Sequence, residues 1–298
     1  VRCSEHFEQH REAVEQLRQR RIATVYAIDG ILEWRNAWQN MPDERACPWT
    51  MRPCLSDKVA VIGPSQARVL AAWGNAQRLE LIGVPRFDAA ASKRPDFATM
   101  VERLQSRPSL KVLVVTAKCP GFTPEQIETT QRSLAALSEF FDHSQRRDKS
   151  LGHPPRWEVV WRLTSGMEQR LGVRNTLAEL TGADLATQLD QVDLVVSTAS
   201  TVMLEGMLAG RPVAQLDFHN VPELVPAAWR IGASEQIEPT LESMRLSDSI
   251  GVRRLAWQEN LLADALWSRP DATERMARLL TELHRLAVDR VQSGATWS

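Results

Sequence analysis

Hydrophobic residues along the chain follow two patterns, short continuous runs and a period of three to four residues. The continuous runs are rich in Val, Ile and Leu and predict buried strands, and the periodic segments between them predict amphipathic helices. The predicted strands cover residues 22–28, 58–63, 79–83, 111–117, 157–163, 193–198 and 212–218. The predicted helices cover residues 5–21, 66–73, 97–106, 124–141, 165–172, 176–180, 184–190, 201–209 and most of 249–291. This alternation predicts an α/β fold in which helices cover both faces of parallel sheets.

Two polar stretches interrupt the alternation. Residues 84–97, "VPRFDAAASKRPDF", are rich in Pro, Ser and charge and predict a linker, and residues 142–156 predict a polar loop. We therefore expect residues 1–92 to form a first domain and residues 93–240 a second. We expect residues 241–298 to form C-terminal helices that pack back on these domains.

The composition argues against two classes of protein, those that bind nucleic acid and those that span a membrane. The chain has 298 residues, of which 43% are hydrophobic, and 36 Lys and Arg are balanced by 37 Asp and Glu. Nucleic acid is not an expected partner, because binding to a phosphate backbone usually requires an excess of basic residues. No apolar run is long enough to span a bilayer, and the N-terminus "VRCSEHFEQH" is charged where a signal peptide would be apolar. We expect a cytoplasmic protein with at most peripheral membrane association.

The stretch "VVSTASTVMLEGMLAGRPVAQLDF", residues 195–218, places four hydroxyl side chains between a strand and a helix. These are Ser197, Thr198, Ser200 and Thr201. Ligands of open parallel sheets bind beyond the carboxyl ends of the strands, where the first amides of a helix bind phosphate. Glu205, one turn farther on, is placed to accept hydrogen bonds from sugar hydroxyls. The pattern favours a nucleotide diphosphate, and the alternative is a simple helix cap, for which one hydroxyl suffices.

Several residues near the predicted strand ends are candidates for catalysis or acceptor binding. Asp29 follows the strand at 22–28, where burial beside an apolar run would suit a general base, although Asp29-Gly30 is also an ordinary turn. Glu33, Trp34 and Arg35 lie in a loop rich in aromatic residues that suits a sugar or lipid-linked acceptor. A core role for the tryptophan is the alternative.

Two cations, one just after a predicted strand and one at the end of another, are candidates for binding the diphosphate. Lys118 would act as a point charge and Arg162 as a bidentate donor. The alternatives are a solvated lysine and a structural ion pair. Asp217 and His219 follow the last predicted strand, and we interpret this histidine as structural, because a lone histidine is more often structural than catalytic.

The sequence predicts no metal site. His6 and His10 are four residues apart, but Phe7 stands where a His-Glu-x-x-His motif has its glutamate, and no third ligand is evident. The four cysteines form no CxxC pair and predict reduced thiols.

Three stretches carry a family resemblance. "DLVVSTASTVMLEGMLAGRPVAQLDF" resembles the donor-nucleotide motif of GT-B glycosyltransferases, especially bacterial surface-polysaccharide and CDP-glycerol glycerophosphotransferase-like enzymes. "VYAIDGILEWRNAW" resembles the strand and turn that face the acceptor in this group, and "VAVIGPSQARVLAAWG" through "LELIGVPRFD" resembles the end of its N-terminal domain. Non-hydrolysing UDP-N-acetylglucosamine 2-epimerases share this architecture.

The resemblance implies two Rossmann-like parallel-sheet domains followed by a C-terminal helical segment. The first domain is expected to be incomplete, because the family normally begins with several βα units and a Gly-rich loop that are not recognised here. The four hydroxyl residues would contact the donor phosphates and Glu205 would hold the ribose. The implied substrate is a UDP- or CDP-linked donor, used without cofactor or metal.

The implied reaction transfers a sugar or polyol phosphate to a cell-envelope polysaccharide or lipid acceptor, at the inner face of the membrane. Many relatives carry a His-Pro where this chain has Thr164-Ser165, so the role of base falls to Asp29 or to a residue outside this sequence. The alternatives are a UDP-sugar 2-epimerase and a non-catalytic nucleotide-binding or scaffold protein.

Overall fold

The computed structural model describes residues 2–3, 5, 8–32, 51–117, 124–163, 168–169, 176, 184–219 and 224–293. They divide into two compact units, and each unit contains one parallel sheet. Unit 1 comprises Val1–Ser92, Glu223–Val225 and Ala263–Ser298, and unit 2 comprises Lys93–Pro222 and Pro226–Leu262.

The sheet of unit 1 has four described strands in the order β1-β2-β3-β4, and that of unit 2 has five in the order β6-β5-β7-β8-β9. All neighbouring strands in both sheets are parallel, as the short continuous apolar runs predict. The strands are β1 (Arg2–Cys3), β2 (Val25–Ala27), β3 (Lys58–Val61), β4 (Leu79–Leu81), β5 (Leu110–Val115), β6 (Trp157–Arg162), β7 (Leu194–Ser197), β8 (Val213–Leu216) and β9 (Trp229–Ile231).

Ten α-helices lie in the described part of the chain. They are α1 (Glu8–Gln19), α2 (Pro64–Leu70), α3 (Asp88–Ser92), α4 (Phe97–Gln105), α5 (Pro124–Ser150), α6 (Leu185–Asp190), α7 (Val202–Leu208), α8 (Ile237–Met244), α9 (Ser249–Ala265) and α10 (Ala272–Ser293). Within the described ranges, no helix combines the length and the apolar run needed to cross a membrane.

The core of unit 2 surrounds the central strands of its sheet. Every residue of β7 and β8 is buried, which is typical of parallel strands covered by helices on both faces. Leu104 of α4, Leu137 of α5 and Leu241 of α8 pack into the cluster that contains the apolar residues on one face of these strands. The sheet is therefore a rigid support for whatever its carboxyl edge binds.

The core of unit 1 lies on both sides of β2 and β3. On one side Leu279 and Leu283 of α10 pack with Val25 and Ala60, and on the other Tyr26 belongs to a separate apolar cluster. Successive strand residues point to opposite faces, so one short strand serves both layers.

The structure corrects the predicted loop at 142–156. The helix α5 continues to Ser150, because this polar stretch consists largely of residues that a helix accommodates and two of them, Ser144 and Asp148, are buried. The Asp148 carboxylate accepts hydrogen bonds from the Arg156 backbone N at 2.9 Å and from its Nε at 3.2 Å. These contacts close the shorter loop that follows.

The predicted linker at 84–97 is also wrong in its first half. Residues Pro85–Phe87 form a 3-10 turn that leads into α3. The Asp88 carboxylate accepts hydrogen bonds from the backbone N of Ala272 at 3.0 Å and of Thr273 at 2.8 Å. This stretch therefore caps the first turn of α10. The sequence patterns also missed β9 and α8.

Candidate functional site

The carboxyl end of the sheet in unit 2 brings one residue from each strand into a single row. The register pairs Val115 with both Arg162 and Ser197, Ser197 with Gln215, and Gln215 with Arg230. Adjacent strands lie about 4.8 Å apart, so the Cα atoms of Arg162 and Ser197 are separated by about 10 Å. Two predicted site residues thus share one edge of the sheet, within reach of a diphosphate-sized ligand.

The hydroxyl groups after β7 bond to one another and to a neighbouring loop. Ser197 Oγ donates to the Thr198 carbonyl oxygen at 2.7 Å and lies 3.2 Å from Ser200 Oγ. Thr198 Oγ1 accepts from the backbone N of Ala117 at 2.8 Å, and Ser200 Oγ accepts from that of Val202 at 3.3 Å. These bonds fix the turn and tie it to the chain that leaves β5.

Exposure separates the four predicted hydroxyl residues into two pairs. Ser197 has no exposed surface and Thr198 is 6% exposed, whereas Ser200 and Thr201 are half-buried. In this structure the first pair shapes the turn, and the second pair is the more exposed of the two.

The turn leads into α7, which is held by buried side chains along its length. Met203, Leu204 and Met207 are fully buried. Thr201 is the N-cap residue, and its side chain makes no capping hydrogen bond. Glu205 lies in the first turn of α7 and is half-buried.

Arg162 is the last residue of β6 and is half-buried. Its Nη1 atom is buried and has no hydrogen-bond partner among the described residues. A buried donor without an acceptor is costly, and a guanidinium group is suited to bidentate contact with phosphate oxygens. Arg162 is therefore the cation at this edge best placed to meet an anionic ligand.

Asp217 and His219 form a second polar group at the same edge, where the sequence pattern predicts a structural histidine. Asp217, 6% exposed, accepts from the backbone N of His219 at 3.0 Å and from Arg230 Nη2 at 3.3 Å. His219 Nε2 lies 3.1 Å from Thr130 Oγ1 of α5. The sequence signal was present, because both residues directly follow a strand, but nothing in the pattern indicated these partners.

Asp29 lies in unit 1, after β2, and its surroundings correct one expectation. Its side chain is 70% exposed and lies 4.0 Å from Arg86 Nη1. The expected burial beside the apolar strand is wrong, because β2 ends at Ala27 and Asp29, two residues later, lies at the surface. Its carboxylate is therefore accessible from solvent.

Four predicted site residues lie outside the described ranges: Lys118, Glu33, Trp34 and Arg35. Their proposed roles stay predictions. In the described part of the chain, no cluster of three or more His, Cys, Asp or Glu side chains could hold a metal ion.

Comparisons with known proteins show which fold this is. No protein-family model matches the sequence, and no curated protein matches it. The wall teichoic acid polymerase TagF superposes with a TM-score of 0.55 at 11% identity, covering 91% of this chain and 70% of TagF. MnaA from S. aureus, solved with UDP, gives a TM-score of 0.62 at 11% identity, covering 96% of this chain and 76% of MnaA.

A third similar structure is the UDP-GlcNAc 2-epimerase of Methanocaldococcus jannaschii, solved with UDP-GlcNAc and UDP. It gives a TM-score of 0.51 at 12% identity, and the match covers 95% of this chain and 75% of the epimerase. Identities this low establish the fold alone. With two parallel sheets flanked by helices, the chain has the GT-B fold shared by these proteins, which confirms the expected fold class.

Proposed function

We propose that this GT-B fold chain is an enzyme that transfers a sugar or polyol phosphate from a nucleotide-activated donor to a cell-envelope polysaccharide or lipid acceptor. The observation that carries the proposal is the edge of the sheet in unit 2, where Arg162 and the turn Ser197–Thr201 lie on neighbouring strand ends. Two similar structures contain UDP, which supports a nucleotide as the ligand of this chain. TagF supports an envelope polymer as its acceptor.

The donor diphosphate would lie over the turn that follows β7. Ser200 and Thr201 would donate their hydroxyl groups to phosphate oxygens, and Arg162 would balance the negative charge. Ser197 and Thr198 would hold the turn in place through the bonds described above. Such preorganised donors stabilise charge on the departing nucleotide without rearrangement during the reaction.

Glu205 would hold the ribose by accepting hydrogen bonds from its hydroxyl groups. The acceptor hydroxyl needs a base, and we propose Asp29 for this role because of the sequence resemblance around "VYAIDG". Lys118 is a second candidate contact for the diphosphate, and Glu33, Trp34 and Arg35 are candidates for the acceptor side.

A nucleotide panel tests the donor site. We expect one of UDP, CDP or GDP to stabilise the full chain selectively, by about 2.7 kcal/mol at a concentration a hundred times its Kd. Arg162→Gln should weaken the binding of that nucleotide more than tenfold, because a charge-assisted hydrogen bond is worth about 1.5 to 3 kcal/mol. Thermal shift and calorimetry measure both effects.

Matched variants in unit 2 act as controls. Arg253→Gln removes an exposed arginine from α9, and Glu158→Gln removes an exposed carboxylate from β6. Neither should change nucleotide affinity, whereas Glu205→Gln should reduce it. If Arg162→Gln and Glu205→Gln bind the nucleotide as tightly as Arg253→Gln and Glu158→Gln, this edge is not the donor site.

A UDP-sugar 2-epimerase is the second candidate function, and the pair Asp217 and His219 favours it, because such an enzyme needs proton donors and acceptors at the nucleotide-sugar site. Incubation with UDP-GlcNAc in D2O distinguishes the two reactions. Deuterium at carbon 2 of the sugar, without any acceptor present, supports epimerisation. A non-catalytic binding protein would bind the nucleotide but convert no donor.

A further inference from the structure

Unit 1 contains a cavity of about 510 Å³ between the chain entering β2 and the C-terminal half of α10. Its walls are mainly aliphatic and include Ile22, Leu280 and Val288. The polar side chains that line it are Arg21, His284 and Gln292. The volume lies in the range of cavities that bind small molecules, and an apolar surface with a few polar groups is typical of them.

The apolar surface of this cavity is unusually accessible. Ile22 is 36% exposed, Leu280 46% and Val288 39%. Single exposed apolar residues are ordinary on protein surfaces, but a contiguous group lining one depression indicates a binding surface. A ligand that covered these three side chains would gain the free energy of removing them from water.

A second cavity of about 300 Å³ continues the first. Both include Val25 and Leu280, and the second extends to Met276, Asp29 and Arg86. The strand and the helix run in opposite directions here, so the two cavities form one groove that follows both elements. Along α10, from residue 276 to residue 292, this groove is about 24 Å long.

Arg21 is held at one end of the groove by an unusual backbone conformation. Its φ is +60°, and it lies two residues after the end of α1. Its backbone N donates to the Arg18 carbonyl at 2.8 Å, and the backbone N of Ile22 donates to the Leu17 carbonyl at 3.0 Å. Glycine is the residue favoured at this position after a helix. An arginine there places a cation beside the aliphatic wall in spite of the backbone preference.

We infer that this groove binds an aliphatic chain carrying an anionic head group, with the chain between β2 and α10 and the head group at Arg21. The residues lining the larger cavity include no Phe, Tyr or Trp side chain to stack on a large planar ligand and no carboxylate to attract a cation. A two-turn helix, about 10 to 12 Å across and about 11 Å long, displaces roughly 900 Å³ or more. The cavity is therefore better matched to a single chain than to a peptide helix.

Calorimetry on the full chain with dodecanoate, dodecyl phosphate and 1-dodecanol, each below its aggregation limit, tests the inference. Both anions should bind about two- to fivefold more tightly than the alcohol, because Arg21 is exposed and contributes little per contact. The tighter anion identifies the head group as carboxylate or phosphate. Leu280→Glu should weaken the binding of all three probes at least tenfold, because it places a charge on the apolar wall.

The control variants separate binding from folding. Leu151→Glu makes the same change at a leucine that is 63% exposed in unit 2, and it should bind all three probes as wild type does. Arg21→Gly suits the backbone conformation, so it should fold normally and lose the preference for anions, which Arg21→Lys should retain. If Leu280→Glu and Leu151→Glu bind the probes equally, or if wild type binds none of them, the groove does not bind an aliphatic chain.

Anion preference that survives in Arg21→Gly overturns the assignment of the head-group site. These outcomes are distinguishable from those of the nucleotide panel, because the donor site lies in unit 2, whereas both cavities, the smaller of which reaches Asp29, lie in unit 1.

Discussion

At the scale of single residues, Asp193 illustrates how unit 2 holds a buried charge. Its carboxylate is 1% exposed and accepts hydrogen bonds from Arg107 Nη1 at 2.7 Å, Arg103 Nε at 3.2 Å and the Lys111 backbone N at 2.9 Å. Arg211 belongs to the same charged region, and burial, reinforced by the positive charge of Arg103, lowers its pKa to about 10. Asp193 therefore links α4 to the start of β5 and β7.

Asp193→Asn should lower the free energy of unfolding by about 1 to 3 kcal/mol, because a buried carboxylate loses its charge-assisted hydrogen bonds to Arg103 and Arg107. Urea unfolding measures the change. Asp190→Asn is the matched control, since Asp190 is 75% exposed and its carboxylate lies 3.7 Å from Arg211 Nη2. It should change stability by less than about 0.5 kcal/mol. Equal losses in the two variants would show that burial does not decide the strength of these pairs.

The sequence predicted which residues lie at strand ends better than it predicted what each side chain does there. Ser197 and Thr198 follow β7 as expected, but their hydroxyl groups bond within the turn and to the loop after β5. That loop is about eighty residues away in the sequence, so no local pattern indicates the contact. The exposure of Asp29 was likewise not predicted, because the hydrophobicity of a strand does not show how exposed the residues after it are.

At the scale of elements, Gly210 controls how closely α7 and β8 approach α4. Its φ is +71°, and a Cβ atom there would lie 2.5 Å from Pro95 Cγ and 2.7 Å from Met100 Sδ. The sequence "AGRP" predicted a helix end at this position. The close packing against α4 could not be predicted, because it depends on residues more than a hundred positions earlier.

Gly210→Ala and Gly152→Ala form a matched pair at nearly equal φ, because Gly152 has a φ of +72° and open space around the added atom. Gly152→Ala should cost about 1 to 2 kcal/mol through backbone strain alone. Gly210→Ala should cost about 1 to 3 kcal/mol more, because Pro95 and Met100 must move. The difference between the two urea midpoints measures this packing term, and equal midpoints would mean that α4 adjusts without cost.

Strands with continuous hydrophobic runs were predicted correctly, whereas a helical segment with buried polar residues was not. The β-branched runs of β5, β7 and β8 locate the sheet of unit 2 to within two residues at either end. The last third of α5 was predicted as a loop, since its polar composition hides the burial of Asp148. The strand β9 has three residues, which is too short to show a period.

At the scale of the whole molecule, the last helix of the chain completes the core of the unit formed by its first residues. Leu279 of α10 is 4% exposed and packs in one cluster with Val25, Ala60 and Ile82. The capping of α10 by Asp88 adds a second connection across the sequence. Unit 1 therefore depends on contacts between residues about 180 to 250 positions apart, which local patterns do not predict.

Tyr26, the single tyrosine of the chain, reports on unit 1. Burial, with smaller contributions from Cys54, Glu5 and Asp29, raises its pKa far above the ordinary value of about 10. Just above about pH 10, the phenol of Tyr26 loses its proton in the unfolded chain but keeps it in the folded chain. The contribution of Tyr26 to stability is therefore constant below about pH 10 and decreases as the pH rises further.

Leu279→Ala should destabilise unit 1 by about 2 to 5 kcal/mol through the cavity it leaves. At about pH 11, the near-ultraviolet absorbance of the phenolate should then be higher in this variant than in wild type, because Tyr26 ionises when unit 1 opens. Leu286→Ala, at a position 38% exposed on the same helix, should match wild type. If the two variants show equal phenolate absorbance, the contacts of Leu279 do not hold β2 in place.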